Sequence, residues 1–180
     1  MSTNSPLVWM DMEMSGLDPE RDVILEIATI ITDADLNILA EGPEIVVQQP
    51  ASLFANMDAW CQEHHTKSGL WQRVLESNIT ISEAETLTLD FVKKHCKSRE
   101  SPLCGNSIWQ DRRFVARYMR SLDAYLHYRI IDVSSIKELV VRWAPQHKFP
   151  SKKGNHRALD DIRESLDELR HYRTNVFVQK

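Results

Sequence analysis

The stretch that most restricts the fold is Val23–Ile31, an almost unbroken run of apolar and mostly β-branched residues. A short run of this kind, bounded by turn residues, is typical of a strand that is covered on both faces of a sheet. Glu26 is the one charged residue inside the run. It either supports a functional site or pairs with Arg21, and the sequence leaves both possibilities open.

A second apolar segment, residues 7–14, precedes this run and ends in a Ser-Gly-Leu-Asp-Pro turn, which predicts another strand. Asp11 and Glu13 lie two positions apart, so both carboxylates project from one face near the carboxyl end of that strand. Adjacent anions in an apolar setting repel each other unless a cation lies between them, and magnesium prefers such oxygen ligands. Because a D-x-E triplet also occurs by chance on exposed edge strands, the rest of the chain must support this interpretation.

Three strands joined by short turns, followed by alternating helices and strands, predict one mixed α/β domain over residues 1–180. The third strand is expected at about 38–48, with an interruption near Gly42, and two later strands at 102–106 and 129–133. Helical periodicity and capping residues predict the helices 64–77, 82–97, 111–122, 135–144 and 156 onward.

Composition restricts the partners and the compartment. The formal net charge of -4 argues against a protein that coats duplex DNA, so a nucleic-acid ligand is expected to be short or single-stranded. The cysteines Cys61, Cys96 and Cys104 form no C-x-x-C pair, which indicates free thiols in a reducing compartment. No apolar run approaches transmembrane length and no secretory signal pattern is found at the start, so we expect a cytoplasmic protein.

Two further acidic positions are candidates for the same site. Asp111 begins a predicted helix, where the helix dipole alone would favour a carboxylate. His156 precedes Asp160 and Asp161 directly after a basic loop, a combination that suits acid–base and metal chemistry. On a regular helix, positions five apart lie about 140° apart, so His156 meets Asp161 only from the loop or a frayed first turn. Asp160 shares a helix face with His156 without that condition, and geometry leaves both aspartates open.

Taken together, these motifs resemble the DEDDh family of 3′→5′ exonucleases, which share the ribonuclease H-like fold. The flanking residues are closest in pattern to the oligoribonuclease branch, whose members degrade very short RNAs. The blocks that carry the resemblance run in order along the chain: WMDMEMSGLDPERD, AEGPEIVV, CGNSIWQDRRF, HYRIIDVSSIKEL and HRALDDIRES. The resemblance implies a mixed five-stranded sheet, a three-stranded antiparallel meander plus two parallel strands, flanked by helices.

The family pattern also implies a mechanism. It selects Asp161 over Asp160 and gives His156 the role of general base on the attacking water. The products implied are 5′-nucleoside monophosphates. Two magnesium or manganese ions, about 3.5–4 Å apart, would lie at the scissile phosphate. The carboxylates implied as catalytic metal ligands are Asp11, Glu13, Asp111 and Asp161.

Substrate length is a separate implication of the resemblance. Leu17 and Trp60 match the positions that hold the bases, and stacking on an aromatic face tolerates any base. A cap around the 5′ phosphate would exclude chains longer than dinucleotides, and it requires a homodimer. The residues that match this cap are His65 and Ser107 from one subunit, with Tyr128 and Arg129 of the partner subunit.

Two alternative functions remain open at this point. A DEDDh exonuclease of the proofreading or tRNA-trimming type would act on longer single strands. A non-catalytic dinucleotide-binding module on the same fold would be expected to lack one of the four carboxylates, and this chain retains all four.

Overall fold

The structure is a computed structural model, and it describes residues 4–150 and 157–177 of the 180-residue chain. Within those residues the strands are β1 (Leu7–Met14), β2 (Ile24–Thr32), β3 (Ile38–Glu41), β4 (Ile45–Val46), β5 (Leu103–Gly105) and β6 (Ile130–Asp132). The α-helices are α1 (Ala59–Lys67), α2 (Leu70–Glu76), α3 (Ile81–His95), α4 (Ile108–Tyr118), α5 (Arg120–Tyr125), α6 (Val133–Trp143) and α7 (Ala158–Asn175). Short 3₁₀ helices follow Pro50 and Ala144.

The strands form one mixed sheet in the order β3-β2-β1-β5-β6, with β4 also paired to β2. The pairs that involve β2 are antiparallel, whereas β5 is parallel to both β1 and β6. This arrangement confirms the predicted mixed α/β sheet. The expected third strand is divided into β3 and β4 after Gly42, whose amide still donates to the Thr29 carbonyl at 2.8 Å. Pro43 has no amide with which to continue the ladder, and the register with β2 is shifted by one residue when pairing resumes at Ile45. The sheet of the described chain therefore has six strands instead of five.

Alternate residues of β1 lie on opposite faces of the sheet. Val8 and Met10 pack in the core that contains Phe114 of α4, whereas Trp9 packs in the core that contains Leu166 of α7. Every residue of β2 is buried, as its apolar run predicts. The two acidic residues further along β1 continue the row of Trp9, so this alternation directs them towards α7.

Two of the predicted helices are broken into pairs. The helix expected over 64–77 is α1 followed by α2, because Gly69 adopts a left-handed φ of 72° between them. The helix expected over 111–122 is α4 followed by α5, with Met119 at φ -131° and ψ 59° between the two. Apolar periodicity continues through both breaks, so the sequence pattern did not reveal them.

The predicted helix starts also differ from the structure: α1 begins at Ala59 instead of 64 and α4 at Ile108 instead of 111. Side-chain caps explain the smaller differences at α3 and α6. The capping box of α3 begins at Thr80, two residues before the box expected at Ser82, and the helix itself begins at Ile81. The hydroxyl of Thr80 accepts the Glu83 amide, and the carboxylate of Glu83 accepts the Thr80 amide. Helix α6 begins at Val133 instead of Ser135, since the Asp132 carboxylate accepts the amide of Ser134 at 2.9 Å. None of the helices in residues 4–150 and 157–177 is long and apolar enough to cross a membrane.

The capping box of α3 gives the first testable prediction. Thr80→Ala removes the hydroxyl that accepts the Glu83 amide, and we expect it to lower the free energy of unfolding by about 1 kcal/mol. Ser82→Ala is the matched control, because the exposed Ser82 lies inside the helix and should change stability by less than about 0.5 kcal/mol. Urea denaturation of both variants measures the difference. Equal losses would show that Thr80 does not cap the helix.

Candidate active site

Three carboxylates converge beside the carboxyl end of β1. One oxygen each of Asp11, Glu13 and Asp161 lies within 4.8 Å of the others. Asp11 and Glu13 come from the strand face that packs on α7, and Asp161 comes from the first turn of α7. The spacing on β1 and the packing of α7 together therefore produce the cluster.

A fourth carboxylate, Asp111, reaches the same cleft from the first turn of α4. It is 6% exposed, and its Oδ1 accepts a hydrogen bond from the Met12 amide at 3.0 Å. Strand β5 pairs with β1 only at Val8 and Trp9, so the backbone of β1 beyond Trp9 is open on that side. The Asp111 carboxylate occupies this opening and ties α4 to the strand that carries the other acids.

Burial and mutual repulsion change the protonation of this cluster. The pKa of Glu13 rises to about 8, mainly because the carboxyl is buried and further because Asp161, Glu26 and Asp111 are nearby. Burial also raises the pKa of Asp111 to about 7, although the Met12 amide acts in the opposite direction. Without a cation, the cluster therefore retains protons near neutral pH.

The donor set of this cluster fits a divalent cation. Carboxylate oxygens are the ligands that hard cations such as magnesium and manganese prefer. A cation at the centre would offset the repulsion that otherwise keeps these groups protonated. The fit rests on the chemistry of the donors and on their convergence, and it agrees with the metal interpretation of the sequence.

The two neighbouring aspartates of α7 face different partners. Asp161 joins the cluster, whereas Asp160 lies 3.3 Å from Arg163, which also pairs with Glu41 at 2.8 Å. The packing of α7 decides between them, because its buried face, which includes Ile162 and Leu166, sets which side of the first turn meets β1. His156 lies outside the described residues.

Glu26 of β2 lies directly opposite Glu13 in the antiparallel register and is fully buried. It pairs with Arg73 of α2 at 2.6 Å, whereas Arg21 pairs with Asp18 at 3.0 Å. The pairing of Glu26 with Arg21 is therefore wrong. Arg73 was not identified from the sequence, because its contact depends on how α2 packs against β2.

These acids line a cleft of about 520 Å³ whose mouth carries two exposed apolar side chains. Leu17 is 73% exposed and Trp60 is 66% exposed, so neither belongs to the core. The carbonyl of Leu17 accepts hydrogen bonds from Gln110 at 2.5 Å and Arg113 at 3.3 Å, both on α4. Helix α4 thus holds the Leu17 turn in place. This role of Gln110 and Arg113 was not identified from the sequence, because it depends on how α4 packs beside the turn.

His65 and Ser107 also line the cleft. His65 is buried, its Nε2 bonds the Met14 carbonyl at 2.8 Å, and burial lowers its pKa. Ser107 is exposed and has a left-handed φ of 50°, which is held by hydrogen bonds from its amide to Asp132 and Ser134 at 3.0 Å. The structure therefore brings both residues to the carboxylate cluster.

Tyr128 and Arg129 lie elsewhere on the same chain. Both are exposed, and neither lines the cleft. The Arg129 guanidinium lies 5.3 Å from the centre of the Tyr128 ring, and the Tyr128 ring stacks on His127 at 4.5 Å. Within one chain, these two residues are separate from the site.

Comparison with known proteins was made for sequence and for structure. The exonuclease family model matches residues 8–169. The chain is 57% identical over 178 residues to the oligoribonuclease of Dichelobacter nodosus, covering 99% of this chain and 98% of that protein. It is 58% identical over 174 residues to the oligoribonuclease of Pseudomonas aeruginosa, covering 96% and 97%.

Among solved structures, exonuclease I of Methylocaldum szegediense matches with a TM-score of 0.68 and 19% identity, over 96% of this chain and 41% of that chain. Another exonuclease I structure matches with a TM-score of 0.70 and 16% identity, over 94% and 41%. At these identities the structural matches show the fold, and they confirm the ribonuclease H-like α/β prediction.

The raised pKa values predict how stability depends on pH. Glu13 and Asp111 release their protons near pH 4 when unfolded but near pH 8 and 7 when folded. The metal-free folded state therefore binds more protons between these limits, and its free energy of unfolding should fall as pH rises. For each of the two groups, the free energy of unfolding should fall by up to about 1.4 kcal/mol per pH unit.

Urea denaturation of the metal-free chain between pH 5 and 8.5 measures this slope. The double variant Glu13→Gln/Asp111→Asn is the matched control, because it retains the shape of both side chains and removes both titrations. The free energy of unfolding of this double variant should change clearly less with pH than that of the native chain. Magnesium should stabilise the native chain more at pH 8 than at pH 6, because binding must displace fewer protons. Equal slopes for the two proteins would contradict these assignments.

Proposed function

The chain belongs to the exonuclease family and, within it, to the oligoribonucleases, and we propose that it hydrolyses very short RNAs, above all dinucleotides, from the 3′ end. The products are 5′-nucleoside monophosphates. The observation that carries this proposal is the carboxylate cluster at the end of a small cleft between Leu17 and Trp60. A volume of about 520 Å³ suits a ligand of nucleotide size.

We assign the binding of the catalytic metal ions to the carboxylates that lie together in the cleft. Two magnesium or manganese ions, when bound, polarise the scissile phosphate, activate a water and neutralise the charge on the departing 3′-oxygen. The carboxylates that would hold them are Asp11, Glu13, Asp111 and Asp161. The convergence of three of these groups, and the position of the fourth in the same cleft, support this assignment.

His156 is proposed as the general base. An imidazole titrates near neutral pH, so it accepts the proton of the attacking water without an extreme pKa. Its place in the sequence, five residues before Asp161 and close to the start of α7, supports this role.

Leu17 and Trp60 are proposed to hold the bases. Both present apolar surface to solvent at the mouth of the cleft, and a bound base would remove that surface from water. Stacking on an aromatic ring contributes about 1–3 kcal/mol per base and is insensitive to sequence. Binding would therefore depend on the number of bases more than on their identity.

The limit on substrate length is assigned to a cap made by two subunits. His65 and Ser107 line the cleft, whereas Tyr128 and Arg129 lie too far from their own cleft to line it. We therefore assign Tyr128 and Arg129 of the partner subunit to the 5′ phosphate, in a homodimer. A guanidinium binds phosphate oxygens with charge-assisted hydrogen bonds, which makes Arg129 the strongest contributor.

We propose that the protein acts in the cytoplasm, at the last step of RNA degradation. Cys61, Cys96 and Cys104 are free and buried, which suits a reducing compartment. The net charge of -4 also suits a ligand that carries few phosphates.

Hydrolysis of a 5′-labelled dinucleotide with magnesium tests this function directly. Asp161→Asn should lower the rate at least about a hundredfold, because the loss of a metal ligand removes several kcal/mol of transition-state stabilisation. Asp160→Asn is the matched control on the neighbouring residue and should remain within about threefold of the native rate. A chelator should abolish the activity. Unchanged hydrolysis by Asp161→Asn or in chelator would refute the proposed mechanism.

The two-subunit cap predicts complementation between two defective proteins. Asp161→Asn inactivates its own catalytic site, and Arg129→Ala removes the cap that each subunit offers to its partner. In a mixed dimer, the subunit with Arg129→Ala retains its carboxylates and receives Arg129 of the partner subunit. Dinucleotide hydrolysis by the mixture should therefore exceed the sum of the separate activities.

A length series provides the second measurement for the cap. The native protein should hydrolyse dinucleotides much faster than RNAs of five or more residues, and Arg129→Ala should reduce this difference. Equal rates at all lengths would indicate an exonuclease for longer strands. An absence of complementation would show that Arg129 acts within its own subunit or not at all.

A further inference from the structure

A second group of metal-binding side chains lies beside the carboxylate cluster. One carboxylate oxygen of Glu13 and one ring nitrogen each of His64 and His65 lie within 4.8 Å of one another. The two histidines are neighbours near the end of α1, and the proposed mechanism uses neither as a metal ligand. Glu13 is the residue that this group shares with the four carboxylates.

His65 has the hydrogen-bond pattern of a metal ligand. Its Nε2 lies 2.8 Å from the Met14 carbonyl, which can only accept, so Nε2 carries the proton and Nδ1 carries the free lone pair. Nδ1 is shielded from water and has no hydrogen-bond partner among the described residues. Metal-binding histidines commonly donate their other ring N–H to a backbone carbonyl in this way, and an unused buried acceptor is costly otherwise.

His64 is held at the cleft by aromatic packing. Its ring lies nearly parallel to the Trp60 ring, with centroids 4.6 Å apart and an interplanar angle of 8°. It meets the His65 ring edge to face at 5.5 Å. This packing keeps the two imidazoles adjacent while the cleft remains open to an ion.

We propose that Glu13, His64 and His65 form a binding site for a zinc-class cation, distinct from the four-carboxylate site. Two imidazoles and a carboxylate are a typical zinc ligand set, with the fourth position open to water. Ligand atoms around a tetrahedral zinc lie roughly 3.4 Å apart, so closure requires shifts of about an ångström. Magnesium retains its preference for oxygen ligands and does not compete for the histidines.

Cys61 lines the same cleft but does not complete the ligand set. Its Sγ lies 3.7 Å from the Asp58 carboxylate. Among the described residues, the ligand atoms that lie within 4.8 Å of one another here are those of Glu13, His64 and His65, and Cys61 is not part of that group.

The shared residue couples the two sites. A zinc ion held by His64 and His65 draws Glu13 away from Asp11 and Asp161, and the carboxylate site then lacks one of its ligands. Zinc should therefore inhibit magnesium-dependent hydrolysis, a consequence that rests on the proposed function. The binding itself does not rest on it.

Titration of the metal-free full-length chain with Zn²⁺, and with Co²⁺ as a spectroscopic probe, tests the site. The native chain should bind Co²⁺ with a visible absorption band typical of nitrogen ligation at low coordination number. His64→Ala should lose this band and weaken Zn²⁺ binding at least about tenfold. Asp161→Asn removes a ligand of the carboxylate site only, so this variant should retain both the Co²⁺ band and the native affinity for Zn²⁺. His95→Ala, an exposed histidine at the end of α3, is the control and should match the native chain.

Native binding by His64→Ala, or loss of the band in Asp161→Asn, would place the ion in the carboxylate cluster and overturn the proposal. The band is measured without RNA, so a chain that binds Co²⁺ through His64 but hydrolyses no dinucleotide would refute only the proposed function. Inhibition is measured as the rate of dinucleotide hydrolysis in magnesium with added zinc, and the rate of each variant is compared with its own rate in magnesium alone. Zinc should inhibit His64→Ala at least about tenfold less effectively than the native protein.

Discussion

The proximity of several carboxylates at one end of a buried strand is the constraint on which the rest of the structure depends. Asp11 and Glu13 share a face of β1 because strand side chains alternate, and α7 adds Asp161 to the same place. Burial makes their charges costly, which raises the pKa of Glu13 to about 8. The fold tolerates this cost because a cation would convert the repulsion into binding energy.

The cleft lies where β1 continues beyond the end of its parallel neighbour β5. β1 and β5 pair only through Val8 and Trp9, and beyond that point the Met12 amide bonds the Asp111 carboxylate instead of a strand. One hydrogen bond therefore satisfies a buried amide, positions a fourth acid and attaches α4 to the sheet. The same helix then holds the carbonyl of Leu17, so the acids and the rim of the cleft are positioned by one element.

Glu13 lies at the boundary between two kinds of ligand. On one side are the carboxylates, whose hard oxygens suit magnesium, and on the other are His64 and His65, whose nitrogens suit zinc. Behind Glu13, the buried Glu26 pairs with the partly exposed Arg73. If the proposed zinc site is correct, the identity of the bound cation would depend on which neighbours Glu13 joins, and the small cleft would have two chemically different states.

The sequence alone determined the features that follow from local periodicity and residue chemistry. These include the buried strand β2, the shared face of Asp11 and Glu13, and the mixed α/β sheet. Residue geometry left Asp160 and Asp161 open, and only the family resemblance favoured Asp161. The tertiary structure brings Asp161 into the cluster and pairs Glu26 with Arg73, a contact that no sequence pattern indicated. Periodicity states which residues share a face of one element, but packing between elements decides which face meets which neighbour. The helix ends were also decided by the structure and not by periodicity. The apolar pattern continues across the breaks, whereas backbone angles and side-chain caps determine where each helix begins and ends.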